Sequence, residues 1–409
     1  MKEVMIIGGG ASGLVAAIYA AKSGSNVTIL EKNKTLGKKI LVTGNGKCNY
    51  WNDDQSLEHY HTNNLEILSQ IMTEQNKEEI LKLFDSIGII PRIKDGYYYP
   101  YSSQATSIQT ALIKEAELLG VKFMLETEVL SITKENNRFQ ITTNNGKFPC
   151  KKVILSTGSK ACPKTGSDGF GYQIASSFSH QVIPVLPALV QLKASESYLK
   201  EWHGIRSDVS VSLVENNQKI VTQIGEIQLT DYGVSGICIF CLSGRAARGL
   251  SQKKKEQLSI NFLYPFELHK KEEFHTWMNA RNNLVKGRTI SDLLDGCLNY
   301  KLINLILKLS KIDRNATWNQ LSNNQKNELG NLLTNFTLDI TGTNSFDSAQ
   351  TCTGGIPLTE INIKTMESTK EKGLYLTGEL LDVDGDCGGY NLSFAWISGM
   401  LAGKDSSHD

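Results

Sequence analysis

Six consecutive residues near the amino terminus, Gly8-Gly9-Gly10-Ala11-Ser12-Gly13, match G-x-G-x-x-G between a β-rich run (3–7, EVMII) and a stretch of helix formers from Ala11 to Lys22. This spacing in this context serves to hold the pyrophosphate of a dinucleotide. Gly8 permits the tight turn, Gly10 lets phosphate lie against the backbone, and Gly13 lets helix and strand pack closely. Ala11 and Ser12 add amide donors at a helix start that carries about half a positive charge. Glu31 follows a second β-rich run (26–30, NVTIL), 18 residues after Gly13, where its carboxylate can accept hydrogen bonds from a ribose. An acid at that place fits NAD and FAD alike, so this motif alone leaves the choice open.

Two further glycine clusters carry chemistry. Thr43-Gly44-Asn45-Gly46-Lys47-Cys48-Asn49 is glycine-rich and basic, and its amides suit an anion-binding concavity with Lys47 on a phosphate or a flavin edge. Asp386-Cys387-Gly388-Gly389-Tyr390-Asn391 leads into an apolar helix expected over about 391–402. The positive end of that helix suits a flavin pyrimidine ring, where reduction creates negative charge. Cys238 and Cys241 have C-x-x-C spacing, but their apolar flanks read as a packed helix rather than a redox dithiol. Cys48 and Cys387 lie in the glycine clusters and read as small buried residues. His59 and His61 are the one closely spaced histidine pair, without an acid or Cys at a recognised ligand spacing, so no metal is expected. Tyr97, Tyr98 and Tyr99 read equally as substrate-pocket walls or as the alternating residues of a hairpin.

The elements that must position these groups follow from pattern. Strand, glycine loop, helix and strand over 3–30 form a βαβ unit. Ile108, Leu112, Ala116 and Leu119 recur at helical spacing until Gly120, and a strand (VKFML) follows. The runs 129–133, 139–143 and 147–155 read as an antiparallel meander, with turns at Asn136-Asn137 and Asn145-Gly146. Short strand-like runs occupy about 192–264, helices about 267–335, and α/β character returns at GLYLTGE (373–379). The expected division is therefore 1–190 with 345–409 as a nucleotide-binding domain, 191–265 with 335–344 as a β insert, and 266–334 as a helical insert.

Composition narrows the function classes. The chain has 409 residues, with 43 Lys and Arg against 42 Asp and Glu, so a net charge of +1 gives no reason to expect nucleic acid as partner. Eight Cys without dense spacing point to a reducing, cytoplasmic setting, and the apolar stretch from Val4 to Ala21 is broken by glycines, which suits no membrane span.

The segments GGGASGLVAAIYAAKSG, LEKNKTLGKKILVTGNGKCNYWN, DGYYYPYSSQATSI, STGSKACPKTGSDGFGY, LTDYGVSGICI and CTGGIPLTEINIKTMESTKEKGLYLTGELLDVDGDCGGYNLSFAWISGMLAG resemble one bacterial flavoprotein family. It is the NAD(P)/FAD-dependent oxidoreductases, or aminoacetone-oxidase-family FAD-binding enzymes, which include proteins linked to bile-acid reduction. The resemblance implies an α/β, Rossmann-like two-dinucleotide-binding-fold flavoprotein with an inserted, partly open β-barrel and a helical bundle. It implies FAD, with Glu31 on the adenosine ribose and the backbone of Val129 near adenine. The Lys38 to Asn49 loop, Lys39 included, would run along the pyrophosphate and isoalloxazine. Asp386 to Asn391 would lie beside the flavin, and Lys32, Thr157, Gly158, Gly378 and Glu379 complete the expected cofactor-binding set. Two positions depart from the pattern: Ser159, where a second glycine is usual, and Asp386-Cys387 before the glycine pair. No catalytic residue is assigned. The implied activity is hydride transfer through flavin N5 to a small unsaturated or carbonyl compound, with NAD(P)H as co-substrate. A tRNA-modification-type flavoprotein and a flavin-binding sensor or scaffold without turnover stay open as alternatives.

Overall fold

The computed structural model describes residues 3–407. β1 (Glu3–Ile7) and β2 (Asn26–Leu30) share one burial pattern, with Val4, Ile6, Ile7, Val27, Ile29 and Leu30 inside. The first helix, Ala11–Lys22, connects them and is buried along most of its length, from Ser12 to Ala20. Two short strands follow, β3 (Trp51–Asn52) and β4 (Tyr60–His61), then a hairpin of β5 (Pro91–Lys94) and β6 (Tyr97–Pro100). A helix over Ala105–Leu118 buries Ile108, Leu112 and Ala116 at the expected spacing, and Gly120 at φ +78° turns the chain into β7 (Lys122–Met124).

The meander is β8 (Val129–Glu135), β9 (Arg138–Thr143) and β10 (Gly146–Cys150). The single strand expected over 147–155 is two strands in two sheets: β10 ends at Cys150 and β11 (Lys152–Leu155) starts afresh beside β1. The pattern contains the reason. Val153, Ile154 and Leu155 are all fully buried, as in a parallel strand covered on both faces, whereas β10 is largely exposed, at the edge of its sheet, and contains Pro149. The hairpin turn also sits one residue earlier than expected, at Asn144-Asn145, because Gly146 pairs with Thr143.

The central sheet is parallel throughout, in the order Leu374–Leu376, β11, β1, β2, β7. This is the Rossmann-like arrangement expected, and ligands of such sheets bind at the carboxyl ends of the strands. The last helix, Tyr390–Ser406, is longer at both ends than the expected 391–402. It packs on the first helix at glycines: a Cβ on Gly399 would lie 2.3 Å from the Ser12 carbonyl oxygen, and one on Gly403 would lie 2.4 Å from that of Ala16.

The chain forms two compact units, residues 1–187 with 346–409 and residues 188–345, each with its own hydrophobic core. In the second unit six strands close a barrel, in the order Leu192–Ala194, Gly233–Ser235, Gln218–Leu229, Arg206–Glu215, Glu256–Asn261, Phe336–Thr343. The expected barrel was partly open; it is shut because the three-residue strand Leu192–Ala194 pairs with both Gly233–Ser235 and Phe336–Thr343. Helices between Lys271 and Thr334 share this unit's core through Phe274, Leu302, Ile306 and Leu333. Among the described residues no helix is long and apolar enough to cross a membrane.

Candidate cofactor and active site

The amino-terminal glycines differ in what surrounds them. Gly8 has φ +97°, and a Cβ there would lie 2.5 Å from the Ser156 carbonyl oxygen at the end of β11. A Cβ on Gly13 would lie 2.0 Å from the Gly8 oxygen. Both positions are closed by backbone. Gly10 is the opposite: a Cβ would meet nothing within 4 Å. The first helix begins at this open glycine with no side-chain cap and no acid in its first turn, so the amides of residues 11–13 have no side chain bound to them. An open cradle before an uncapped helix start is what a pyrophosphate requires, and FAD fits these residues.

Glu31 is buried at the end of β2. Its Oε2 accepts from the Gly9 amide at 2.9 Å, and its Oε1 accepts from the Asn33 amide at 2.8 Å and from Asn33 Nδ2 at 2.7 Å. Carboxylate oxygens offer about four acceptor sites, so capacity remains for a ribose hydroxyl. The Glu31 carbonyl accepts from the Thr127 amide, which ties the start of β8 and buried Val129 to the same strand end. Lys32 pairs with Asp168 at 2.5 Å.

The returning chain meets this loop through hydroxyls. Thr377 Oγ1 lies 3.1 Å from Ser12 Oγ and 2.8 Å from Ser156 Oγ, and Gly378 at φ +65° leaves room for Ser12. Glu379 accepts from Lys39 Nζ at 2.6 Å and from Ser159 Oγ at 2.7 Å. Ser159 therefore has a definite task where a glycine was the usual residue: its hydroxyl holds the carboxylate that Lys39 neutralises. Gly158, at φ +72°, approaches Ser167, and the neighbouring Thr157 Oγ1 is buried without a hydrogen-bond partner.

In the second glycine cluster, Gly44, Asn45, Gly46 and Cys48 all have positive φ, between +54° and +81°. Thr43 Oγ1 donates to the Ile40 carbonyl, Lys47 is exposed, and the Asn49 amide reaches the carbonyls of Tyr98 and Trp51. Cys48 is fully buried, and burial pushes its thiol up to about 12 against a hydrogen bond to Thr43.

The third cluster contains groups that sequence reasoning did not connect. Buried Asp386 accepts from or faces both histidines, with Oδ2 at 3.2 Å from His59 Nδ1 and Oδ1 at 3.0 Å from His61 Nε2. His59 Nε2 lies 3.1 Å from Asp54, and its ring stacks on Tyr390 at 4.6 Å. Burial depresses the His59 pKa, but hydrogen bonds to Asp386 and Asp54 outweigh it, and the net direction is upward. The register brings them together: β4 pairs with Asp384–Gly385, and the Asp386 amide donates to the His59 carbonyl. The sequence signal was the i, i+2 spacing of the two histidines; His61 lies on β4 and His59 ends the helical turn, Leu57–His59, that leads into it. Asn391 brackets Gly385 with two hydrogen bonds, Asn52 Nδ2 donates to the Gly388 carbonyl, and Gly389 lies against the Trp51 backbone. The last helix starts here, again without a side-chain cap or an acid in its first turn.

Cys238 and Cys241 lie in a helix, Ile237–Ser251, and both are buried. Burial raises the Cys238 thiol to about 11, so little of it is thiolate near neutral pH.

The profile described as HI0933-like protein Rossmann domain matches residues 2–405. The chain belongs to this family. It is 39% identical over 407 residues, covering 99% of this chain and 98% of the relative, to the 3-dehydro-bile acid delta(4,6)-reductase of Clostridium scindens. It is 28% identical over 403 residues, 98% of this chain and 97% of the relative, to the ribosomal RNA dihydrouridine synthase of Escherichia coli. Among solved structures, the open conformation of a flavocytochrome c3 fumarate reductase is similar in fold, with TM-score 0.50 at 14% identity over 99% of this chain and 78% of that one. The expected class, an FAD-dependent oxidoreductase on a Rossmann-like fold, stands with this family and its named reductase.

Proposed function

We propose that this protein reduces a carbon–carbon double bond conjugated to a carbonyl in a small organic substrate, with FAD as resident cofactor and NAD(P)H as electron source. The open cradle at Gly10, set between two backbone-closed glycines, is the observation that carries the cofactor reading. The reaction class comes from the relatives' names. A delta(4,6)-reductase of a 3-dehydro acid and a dihydrouridine synthase both saturate a double bond conjugated to a carbonyl.

Gly8, Gly10, Ala11, Ser12 and Gly13 hold the pyrophosphate, Glu31 the ribose and the Val129 backbone the adenine. Lys39, the Thr43–Asn49 loop, Thr157, Gly158, Gly378, Glu379 and the Asp386–Asn391 segment surround the ring. Bound FAD supplies hydride transfer through its N5. The overall reaction oxidises NAD(P)H to NAD(P)+ and adds hydride and a proton across the substrate double bond. The start of the last helix stabilises negative charge on its side of the ring by up to ~2 kcal/mol. Asp386 and Asp54, hydrogen-bonded to the two ring nitrogens of His59 beside that helix start, raise its pKa. No second G-x-G-x-x-G is present, so the nicotinamide is expected to dock against the flavin rather than occupy a fold of its own. Among the described residues no cysteine is in a disulfide, which suits a cytoplasmic setting.

The deciding experiment is anaerobic stopped-flow on the yellow, FAD-loaded chain. NADH or NADPH should bleach the flavin, and a 3-oxo-4,6-diene bile acid should restore its colour. Protein that stays colourless after incubation with FAD ends this reading.

A second reading takes the uridine base of ribosomal RNA as the conjugated substrate. The full-length likeness to the E. coli protein favours it, as does the 188–345 unit, where 19 Lys and Arg face 15 Asp and Glu. Loss of dihydrouridine from ribosomal RNA on deleting the gene, measured by mass spectrometry, would make RNA the substrate.

A further inference from the structure

β5 and β6 form a hairpin closed by Asp95-Gly96, both at positive φ. Its register pairs Arg92 with Tyr99 and Lys94 with Tyr97, and β3 on the other side pairs Asn52 with Tyr97. Directly paired residues project from the same face of a sheet. One face therefore presents Asn52, Tyr97, Lys94, Tyr99 and Arg92. On the opposite face Tyr98 packs edge-on against Tyr50 and donates its hydroxyl to Asp53 at 2.6 Å.

The first face reaches both glycine loops assigned to the flavin ring. A Cβ on Gly388 would lie 3.0 Å from Tyr97 Cε1, and one on Gly44 would lie 3.7 Å from Tyr99 Cε1. Tyr97 is 36% exposed and Tyr99 half-buried, so neither ring is consumed by the core. Arg92 and Lys94 are exposed on the outer strand, and among the described residues neither forms an ion pair. Arg92 makes only a 3.4 Å contact to Ser103 Oγ. Two aromatic rings beside the cofactor loops and two unpaired cations one strand farther out form a graded surface, apolar and flat near the ring and cationic at the far end.

We propose that this face is the substrate platform and that the substrate is a flat conjugated carbonyl compound with a carboxylate at the end remote from the reacting bond. Tyr97 and Tyr99 take the conjugated rings against their faces, and Arg92 and Lys94 take the carboxylate. This rests on the reading of the glycine loops as the flavin site. It adds a substrate charge and an orientation, since the anionic end must point toward β5.

The test uses the FAD-loaded full chain and reads the perturbation of the flavin absorbance band. The probes are a 3-oxo-4,6-diene bile acid, its neutral methyl ester and a uridine-containing oligonucleotide. Wild type should bind the acid about tenfold tighter than the ester, as expected for a carboxylate held by two cations. Arg92→Gln/Lys94→Gln should bring acid and ester within about twofold while FAD occupancy is unchanged. Tyr99→Leu should weaken acid and ester alike, by about tenfold. Equal binding of acid and ester by wild type overturns the proposal, as does an acid preference that survives the double substitution. So does binding of the oligonucleotide with none of the acid. Absence of FAD from wild type is a separate result, which defeats the cofactor reading instead.

Discussion

The first helix and the last helix both begin after a glycine, with no side-chain cap and no acid in the first turn, yet their surroundings differ in kind. Backbone surrounds the first: Gly8, Gly13 and the Ser156 carbonyl touch one another, and the nearby acid, Glu31, is fixed by two amides. Titratable side chains surround the last, with Asp386 between His59 and His61 and the His59 ring on Tyr390. The first end is a charge set by geometry and constant with pH. The second is a charge whose neighbours gain and lose protons. In the proposed reading the first end grips the phosphates rigidly and the second sets an adjustable field at the reacting ring.

The largest effect should come from breaking the geometric end. Gly13→Val places a side chain where a Cβ alone would already be 2.0 Å from a backbone oxygen, so strand and helix must separate. A loss of about 3 kcal/mol or more is expected, with no retained FAD, read by thermal unfolding and flavin absorbance. Gly10→Val separates binding from folding. Space is open there, so the cost to stability should stay near ~1 kcal/mol, that of a poor cap residue. FAD affinity should nevertheless fall about a hundredfold or more, because phosphate and side chain compete for one volume. A Gly10→Val protein that stays yellow would remove the cradle from the first helix.

Much of the first end was legible in the sequence, and the reason is local. Gly8, Gly10, Gly13 and Glu31 lie within 24 residues of chain, and their roles follow from strand–turn–helix spacing. The parallel sheet followed from apolar runs, although one run hid the change of sheet at Lys151 because exposed β10 and buried β11 abut without a turn residue. The last end was legible only in part. Its glycine pair and helix were visible, but Asp386 reaches His59 across 327 positions, through a two-residue strand pairing that no periodicity announces. The Ser159–Glu379–Lys39 set was hidden in the same way, spanning 220 and 340 positions. Barrel closure escaped because the sealing strand, Leu192–Ala194, is three residues long.

The adjustable end is tested by Asp386→Asn. In the wild type the upward shift of His59 means that its contribution to stability is complete below the ordinary histidine pKa, about 6.5, and is lost as pH rises through the raised value. Removing the carboxylate takes away the stronger of the two hydrogen-bonding influences that oppose burial, so the His59 titration should move down and this alkaline loss should shrink. Imidazole chemical shifts followed against pH read the first effect, and thermal unfolding at pH 6 and pH 9 reads the second. The cost at neutral pH should be about 1–3 kcal/mol, for buried hydrogen bonds left half-made. Glu31→Gln, at the geometric end, should leave the histidine titration where it is. If both substitutions shift it alike, the two ends are not electrically distinct.

The smallest effect is expected from the cysteines, and it guards the comparison against a competing electron route. If Cys238 and Cys241 cycled between dithiol and disulfide, the field at either helix start would matter less than that couple. With its thiol raised to about 11 by burial, Cys238 is only about one part in a thousand thiolate at pH 8, although it sits in the first turn of its helix. The double substitution Cys238→Ala/Cys241→Ala should therefore leave the rate of flavin bleaching by NAD(P)H within about twofold of wild type, with a packing loss of ~1–2 kcal/mol as its main trace. A tenfold slower reduction, with FAD occupancy intact, would show that electrons pass through sulfur and that the contrast between the two helix ends is secondary to it.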